Sequence, residues 1–361
     1  MSRRVLCYIG TYTHTTSEGI YLYEVDLSTG ALRFLNVSPA GEHPSYLAFH
    51  PNGRTLYAVN ETTEYGGRAS GAVSAYAIDG QTGALTTLNR QASEGTSPCY
   101  LSVDATGQFL LVANYHSGSI AVLRVQPDGQ LLPASDFIQF RPTEEESQRQ
   151  KAPLGHCIIT DPTNRFVLAC DAGLDRLMIY QLDLARGRLI PSEQPTTQLR
   201  DGSAPRHVTI HPDRRHVYAI GESSSTMFAF AWDEARGRLA EMQAISTLPE
   251  GFRGRNYCAD LHVHPSGRFL YGSNRGHNSI VIYAIHEDTG KLTLVGHEST
   301  QGQTPRNLAL DPTGQYLFAA NQHSDTVVSY RIDLQTGRTA PTGHVLSLPM
   351  PVCLKMRVVD A

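Results

Sequence analysis

The sequence predicts an all-β fold, a seven-bladed β-propeller with four antiparallel strands per blade, and three observations carry that prediction. An eighteen-residue unit recurs six times, each copy runs on into two further alternating segments, and the two ends of the chain together supply a seventh unit. A sheet of four short strands cannot bury both faces alone, so units repeating every 47 to 57 residues must bury them against one another.

In chain order, RVLCYIGTY (4–12) reads as the second strand of a hairpin, and GIYLYEVDLSTGALRFL (19–35) continues as a third and fourth strand. The first strand of this unit is missing locally. It reappears as PVCLKMRV (351–358), so the last strand is expected to close the ring beside the first unit and leave no open edge. Between them lie PSYLAFHPNGRTLYAVNE (44–61), PCYLSVDATGQFLLVANY (98–115), GHCIITDPTNRFVLACDA (155–172), PRHVTIHPDRRHVYAIGE (205–222), CADLHVHPSGRFLYGSNR (258–275) and PRNLALDPTGQYLFAANQ (305–322). Each reads as an alternating apolar strand, a turn carrying Pro and usually Gly, and a second strand rich in Val, Leu and aromatics. Runs such as SIAVLRV (119–125) and SIVIYAIH (279–286) supply third strands, and TGALTTL (82–88) or TGKLTLV (289–295) a turn with the fourth. One circular domain over residues 1–361 is therefore expected.

Composition narrows the function. Hydrophobic residues make up 40%, the formal net charge is −4, and Lys and Arg form no cluster, which gives no reason to expect nucleic acid or a membrane surface as partner. No run of about 18 apolar residues is present, and the N-terminal stretch lacks a leader's apolar segment. The six cysteines, at 7, 99, 157, 170, 258 and 353, mostly fall inside predicted strands without paired spacing. That pattern reads as buried thiols in a reducing compartment, hence a cytoplasmic protein. A closed ring is expected to be a monomer. Two stretches break the rhythm: RPTEEESQRQKA (141–152) reads as a charged surface loop, and TLPEGFRGRNYCAD (247–260) as a loop able to cover one end of the ring.

Aligning the repeats separates framework from chemistry. Asn60, Asn114, Asn274 and Asn321 recur at one position, as do the His-Pro turn pairs at 50, 211 and 264, so these are framework. Two positions vary in every unit. After the opening residue stand Ser45, Cys99, His156, Arg206, Ala259 and Arg306; ending the second strand stand Tyr12, Glu61, Tyr115, Ala172, Glu222, Arg275 and Gln322. Inner strands of a propeller surround its axis, so equivalent positions form rings, and these polar residues are expected to converge on one channel pocket. Ionised groups gathered there must pair or serve a ligand, and a structural network of Glu61 and Glu222 with the arginines would account for them as well. His207, one residue further along its strand, is expected to face away. One ring histidine, with no HxH or HExxH spacing adjacent to it, points to no metal and no cofactor.

The motifs GTYT (10–13), LVANYHSGSI (111–120), APRHVTIHP (204–212) and GRFLYGSNRGHNSI (267–280), with the hairpin units above, resemble the bacterial lactonase family of seven-bladed propellers over essentially the whole chain. That family includes propeller-type 6-phosphogluconolactonases and, more distantly, carboxy-cis,cis-muconate lactonising enzymes. The resemblance implies a metal-free site in which His156, Arg206, Glu222 and Arg275 are catalytic. Its substrate would be a small anionic lactone, foremost 6-phospho-D-glucono-1,5-lactone. Glu222 or His156 would activate water, one arginine would hold the anion and another face the carbonyl oxygen. Arg306, Glu61, Tyr115 and Gln322 are expected to help bind the substrate. A muconate-type cycloisomerase or another carboxylated-lactone hydrolase is the alternative enzyme, and a non-catalytic protein-binding propeller the alternative of another class. The segment ACDAGLD (169–175) departs from the family's pattern by an inserted Ala172.

Overall fold

The computed structural model describes residues 3–360; Met1 and Ser2, part of the stretch read above for a leader, and Ala361 lie outside them. The described residues form seven four-stranded antiparallel sheets arranged as the blades of a propeller. Blade one joins both ends of the chain: Pro351–Asp360 pairs with Arg3–Thr11, followed outward by Gly19–Val25 and Leu32–Pro39. Its closing ladder runs from Arg3 opposite Asp360 to Thr11 opposite Pro351. Blades two to seven follow in chain order, with innermost strands Leu47–Phe49, Pro98–Val103, Gly155–Thr160, Pro205–Ile210, Tyr257–Val263 and Pro305–Leu310.

The core lies between blades rather than within any one. Five clusters each join a neighbouring pair, such as Phe166 and Leu168 of blade four with Val217, Phe228 and Phe230 of blade five; a larger one spans blades one to three. Side chains of this size stabilise by about 1.5–3 kcal/mol each when fully buried, so a blade owes its stability to its neighbours.

Polar ties fix one blade on the next. Asn60, Asn114, Asn274 and Asn321 each donate through Nδ2 to a carbonyl just past the outer strand of the preceding blade, those of Ala40, Ser93, Thr247 and Thr300, at 2.8–3.0 Å. His50, His211 and His264 donate through Nε2 to the turn carbonyls of Gly107, Gly267 and Gly314 in the following blade. Those glycines hold φ of 68–74° as a group with Gly53, a conformation that a side chain would strain. The repeated residues are thus framework, and they work across blade boundaries.

Two segments differ from the sequence expectation. Glu144–Gln148 is a short helix rather than a loop, because Thr143 accepts from the Glu146 N–H while the Glu146 carboxylate accepts from the Thr143 N–H, a capping box. The loop expected over 247–260 ends earlier, since Tyr257–Val263 is the inner strand of blade six. Its body is anchored by Phe252 against His277, ring centroids 4.9 Å apart, and by Asn256 donating to Ser225 Oγ and Asn274 Oδ1.

Candidate active site

One backbone feature builds the first ring. In five of the seven inner strands the ladder slips at the residue after the opening position, as where Pro205 lies opposite Gly221 and His207 opposite Ile220, leaving Arg206 unpaired between them. The same slip isolates Cys99, His156, Arg306 and, on the closing strand, Val352, while in blade six a wider break between Cys258 and Leu261 leaves both Ala259 and Asp260 outside the ladder. A bulge bends the strand and re-aims the side chain it frees. Ser45 holds the corresponding place ahead of the short inner strand of blade two. The second ring ends the second strands. There the N–H groups of Tyr12, Glu61, Tyr115, Ala172, Glu222 and Gln322 donate to carbonyls of the segments leading into the inner strands. Ala172 makes this bond like the others, so the apparent insertion stays in register and leaves only a small side chain at its place.

In the first ring Ser45, Cys99, His156 and Arg206 are buried and Arg306 is half-buried; in the second Tyr12, Glu61, Tyr115, Glu222 and Arg275 are half-buried, while Ala172 and Gln322 are buried. Gly155 opens the inner strand of blade four because a Cβ there would lie 2.7 Å from the Ser119 carbonyl oxygen and 2.9 Å from that of Asn114.

The ionised residues fall into two groups. In the first, Arg275 donates through Nη2 to Glu222 Oε1 and, at 2.9 Å, to the Cys258 carbonyl. Arg206 is 3% exposed, with its Nε 3.9 Å from Glu222 Oε2. Its hydrogen bonds run from Nη1, to the Ala259 carbonyl at 2.5 Å and to His207 Nε2 at 3.2 Å, while the buried Nε has no partner. In the second group Tyr12 donates to Glu61 Oε2 at 2.9 Å and accepts from Arg306 Nη2 at 2.8 Å; Ser45 also donates to Glu61. Glu61 therefore meets hydroxyls rather than a guanidinium.

His156 packs edge-on against Tyr115, ring centroids 5.4 Å apart, and its Nδ1 lies 3.7 Å from Cys99 Sγ. Gln322 is buried but turns to His323, so it stands apart from both groups. His207 had been expected to face away. Instead its ring meets that of His156 edge to face, centroids 5.4 Å apart, and borders an axial cavity of about 10 Å³, room for one water. Alternation along a strand hides it; the bulge at Arg206 turns two consecutive side chains toward the axis.

Electrostatics follow from burial and the arginines. Burial works to raise the Glu222 pKa, but Arg206 and Arg275, with the hydrogen bond from Arg275, hold it below the ordinary carboxylate value. Arg275 is pushed down to about 10 by burial and by Arg206, against the pull of Glu222. Burial, then Arg206, His207 and Arg306, push His156 well below its usual range, so its imidazole is neutral. His207 falls to about 4 through burial and Arg206, despite its bond to Asp260.

Larger concavities lie elsewhere, among them one of about 760 Å³ lined by turns of blades five, six and seven. His211 and Asp213 of its lining form, with His216, the one three-donor cluster found among the described residues. His211 is the framework tie to Gly267, and its Nδ1 accepts from the Asp213 N–H. His216 Nδ1 meets Asp213 Oδ2 at 2.6 Å. Hydrogen bonding within the turn accounts for this cluster. The channel, in contrast, combines an ionised carboxylate, a neutral imidazole and guanidiniums with donors to spare.

Fold and channel together describe a seven-bladed propeller that gathers a carboxylate, guanidiniums and an imidazole around its axis. A profile of the family described as lactonase, 7-bladed beta-propeller, matches residues 6–356. The chain belongs to this lactonase family of seven-bladed β-propellers. It is 36% identical over 349 residues to the 6-phosphogluconolactonase of Bacillus subtilis, covering 96% of this chain and 97% of that protein. Over 309 residues it is 32% identical to the 6-phosphogluconolactonase of Formosa agariphila, 84% of this chain and 86% of the other. The solved periplasmic gluconolactonase of Pseudomonas aeruginosa superimposes with a TM-score of 0.91 at 32% identity, covering 99% of both chains. No helix among the described residues is long and apolar enough to cross a membrane.

Proposed function

We propose that this lactonase hydrolyses 6-phospho-D-glucono-1,5-lactone to 6-phosphogluconate in the axial pocket, without a metal. One observation carries the reading: Arg206, almost fully buried, leaves its Nε unpaired beside an ionised Glu222. A buried charged donor without an acceptor costs about 1–3 kcal/mol or more, and a phosphate oxygen would satisfy it. The Nε and Nη2 groups of a guanidinium lie on one edge, the fork that binds phosphate through two parallel hydrogen bonds. Arg275 has less to give, because Nε and Nη2 are committed to backbone carbonyls and Glu222.

Glu222, kept ionised by its arginines, takes a proton from water as the water oxygen bonds to the lactone carbonyl carbon. Charge develops on the carbonyl oxygen, where the remaining donors of Arg275 and the N–H of neutral His156 stabilise it. The carbonyl re-forms, the ring C–O bond breaks, and the departing oxygen takes the proton from Glu222. A cation is disfavoured in this pocket by three guanidiniums. Arg306 and Tyr12, with Glu61 and Tyr115, border the space left for the sugar. Gln322, turned to His323, is the weakest of the expected contacts. All six cysteines are buried and free, which fits a reducing, cytoplasmic setting. The ring of blades is read as one domain and as a monomer.

The test is hydrolysis of freshly generated 6-phosphogluconolactone over its spontaneous opening, by wild type and Glu222→Gln, with EDTA present. Acceleration that survives EDTA and collapses in the variant supports the reading; no acceleration by folded wild type ends it. The unphosphorylated lactone is the second substrate to assay, because the Pseudomonas relative is a gluconolactonase.

A further inference from the structure

We propose that His207 and Asp260 form a positioning pair that holds Arg206 with its Nε–Nη2 edge toward the pocket, a proposal that rests on the reading of Arg206 as the anion clamp. Asp260, in the inner strand of blade six, is 2% exposed and accepts from His207 Nδ1 at 2.7 Å. That bond places the imidazole proton on Nδ1 and turns the Nε2 lone pair to Arg206 Nη1, 3.2 Å away. His207 is neutral, as this role requires, because a protonated ring would set N–H against N–H.

Asp260 is itself over-determined. It accepts from the Leu261 N–H on Oδ1, and from His262 Nε2, Asn307 Nδ2 and the Leu308 N–H on Oδ2, at 2.5–3.1 Å. Asn307 in turn accepts from the Leu354 N–H of the closing strand at 2.7 Å. The chain of bonds therefore runs from the strand that closes the ring, through blades seven and six, to the guanidinium in blade five. A long side chain with several rotamers is fixed by parts that cannot shift alone. The Ala259 carbonyl, bonded by the same Nη1, completes the seat.

Two amides separate the functions of the two imidazole nitrogens. His207→Asn keeps a donor near the Nδ1 position for Asp260 and loses the acceptor for Arg206; His207→Gln does the reverse. The assay measures KM and kcat of wild type, both variants and Arg206→Ala on 6-phosphogluconolactone and on unphosphorylated glucono-1,5-lactone, with melting temperatures alongside.

Loss of one hydrogen bond to a charged group predicts that His207→Asn raises KM for the phosphorylated substrate about tenfold, with kcat and the unphosphorylated KM little changed. His207→Gln keeps the acceptor but not its anchor on Asp260, so it should raise the same KM by a smaller factor while melting lower. If Arg206→Ala raises that KM and His207→Asn does not, the positioning role is overturned. If Arg206→Ala leaves it unchanged, the clamp reading fails and the proposal with it, a result distinguishable from the first. Should His207→Asn not fold, His207→Gln decides: a KM raised for the phosphorylated substrate alone supports the pair, a wild-type KM overturns it.

Discussion

Arg206 Nε and Glu222 Oε2 lie 3.9 Å apart, close enough to attract and too far to share a hydrogen bond. The gap leaves a charged donor and a charged acceptor facing one small space, where a ligand can engage both.

Arg206→Lys tests the fork. Lys supplies a charge without the planar pair of donors, so KM for a phosphorylated lactone should rise about tenfold or more, with little recovery compared with Arg206→Ala. Steady-state kinetics on both variants check this.

Glu222→Gln keeps the shape and removes the base. A positioned base contributes about 10²–10⁴-fold, so kcat should fall by that order while the circular dichroism spectrum stays that of wild type. The carboxyl is held below its ordinary value in the folded chain. Its contribution to stability is therefore complete above about pH 4.5 and lost as pH falls through the lowered folded value. The acid limb of kcat should likewise lie below about pH 4.5, and a pH–rate profile measures it.

The histidines move stability in the same direction, over a higher pH window. His207, lowered to about 4, stays neutral in the folded chain while the unfolded chain protonates near pH 6.5. Stability should therefore fall as pH drops from about 6.5 to about 4, with His156 adding in the same direction. Denaturant midpoints across that window should decrease, and NMR should show neither imidazole titrating between pH 6 and 8.

Asn274→Ala removes the tie from blade six to Thr247, leaving that carbonyl only His297 Nε2 as a side-chain donor, and takes away the Oδ1 acceptor of the buried Asn256 amide. A loss of about 1–3 kcal/mol is expected, seen by denaturant unfolding, with kcat near wild type.

Deleting Pro351–Asp360 bares the full length of Arg3–Thr11 as an edge strand and removes Val352, Cys353 and Leu354 from the core. The truncated chain should aggregate, which light scattering reports.

Much of this was legible from residues alone. The six copies of one hairpin, and RVLCYIGTY finding its partner only in PVCLKMRV, dictated seven blades and the closure, because burial between blades demands the repeat. Variation at two positions marked His156, Arg206, Glu222 and Arg275. What stayed hidden depends on backbone irregularity: period-two alternation turns His207 outward, and only the bulge at Arg206 brings it in. The helix at Glu144–Gln148 rests on the Thr143–Glu146 reciprocal cap, a local signal masked by its charge-rich surroundings. Which carboxylate meets which guanidinium is a matter of three-dimensional distance, and no spacing encodes it.

The slipped ladder has one more consequence. Because each freed residue sits outside its blade's pairing, exchanging it leaves the register of the sheet untouched. Five such places around one axis, with Ser45 and Ala259 at the matching positions of blades two and six, form an alphabet that can be rewritten letter by letter, a scaffold on which selection can explore chemistry separately from assembly.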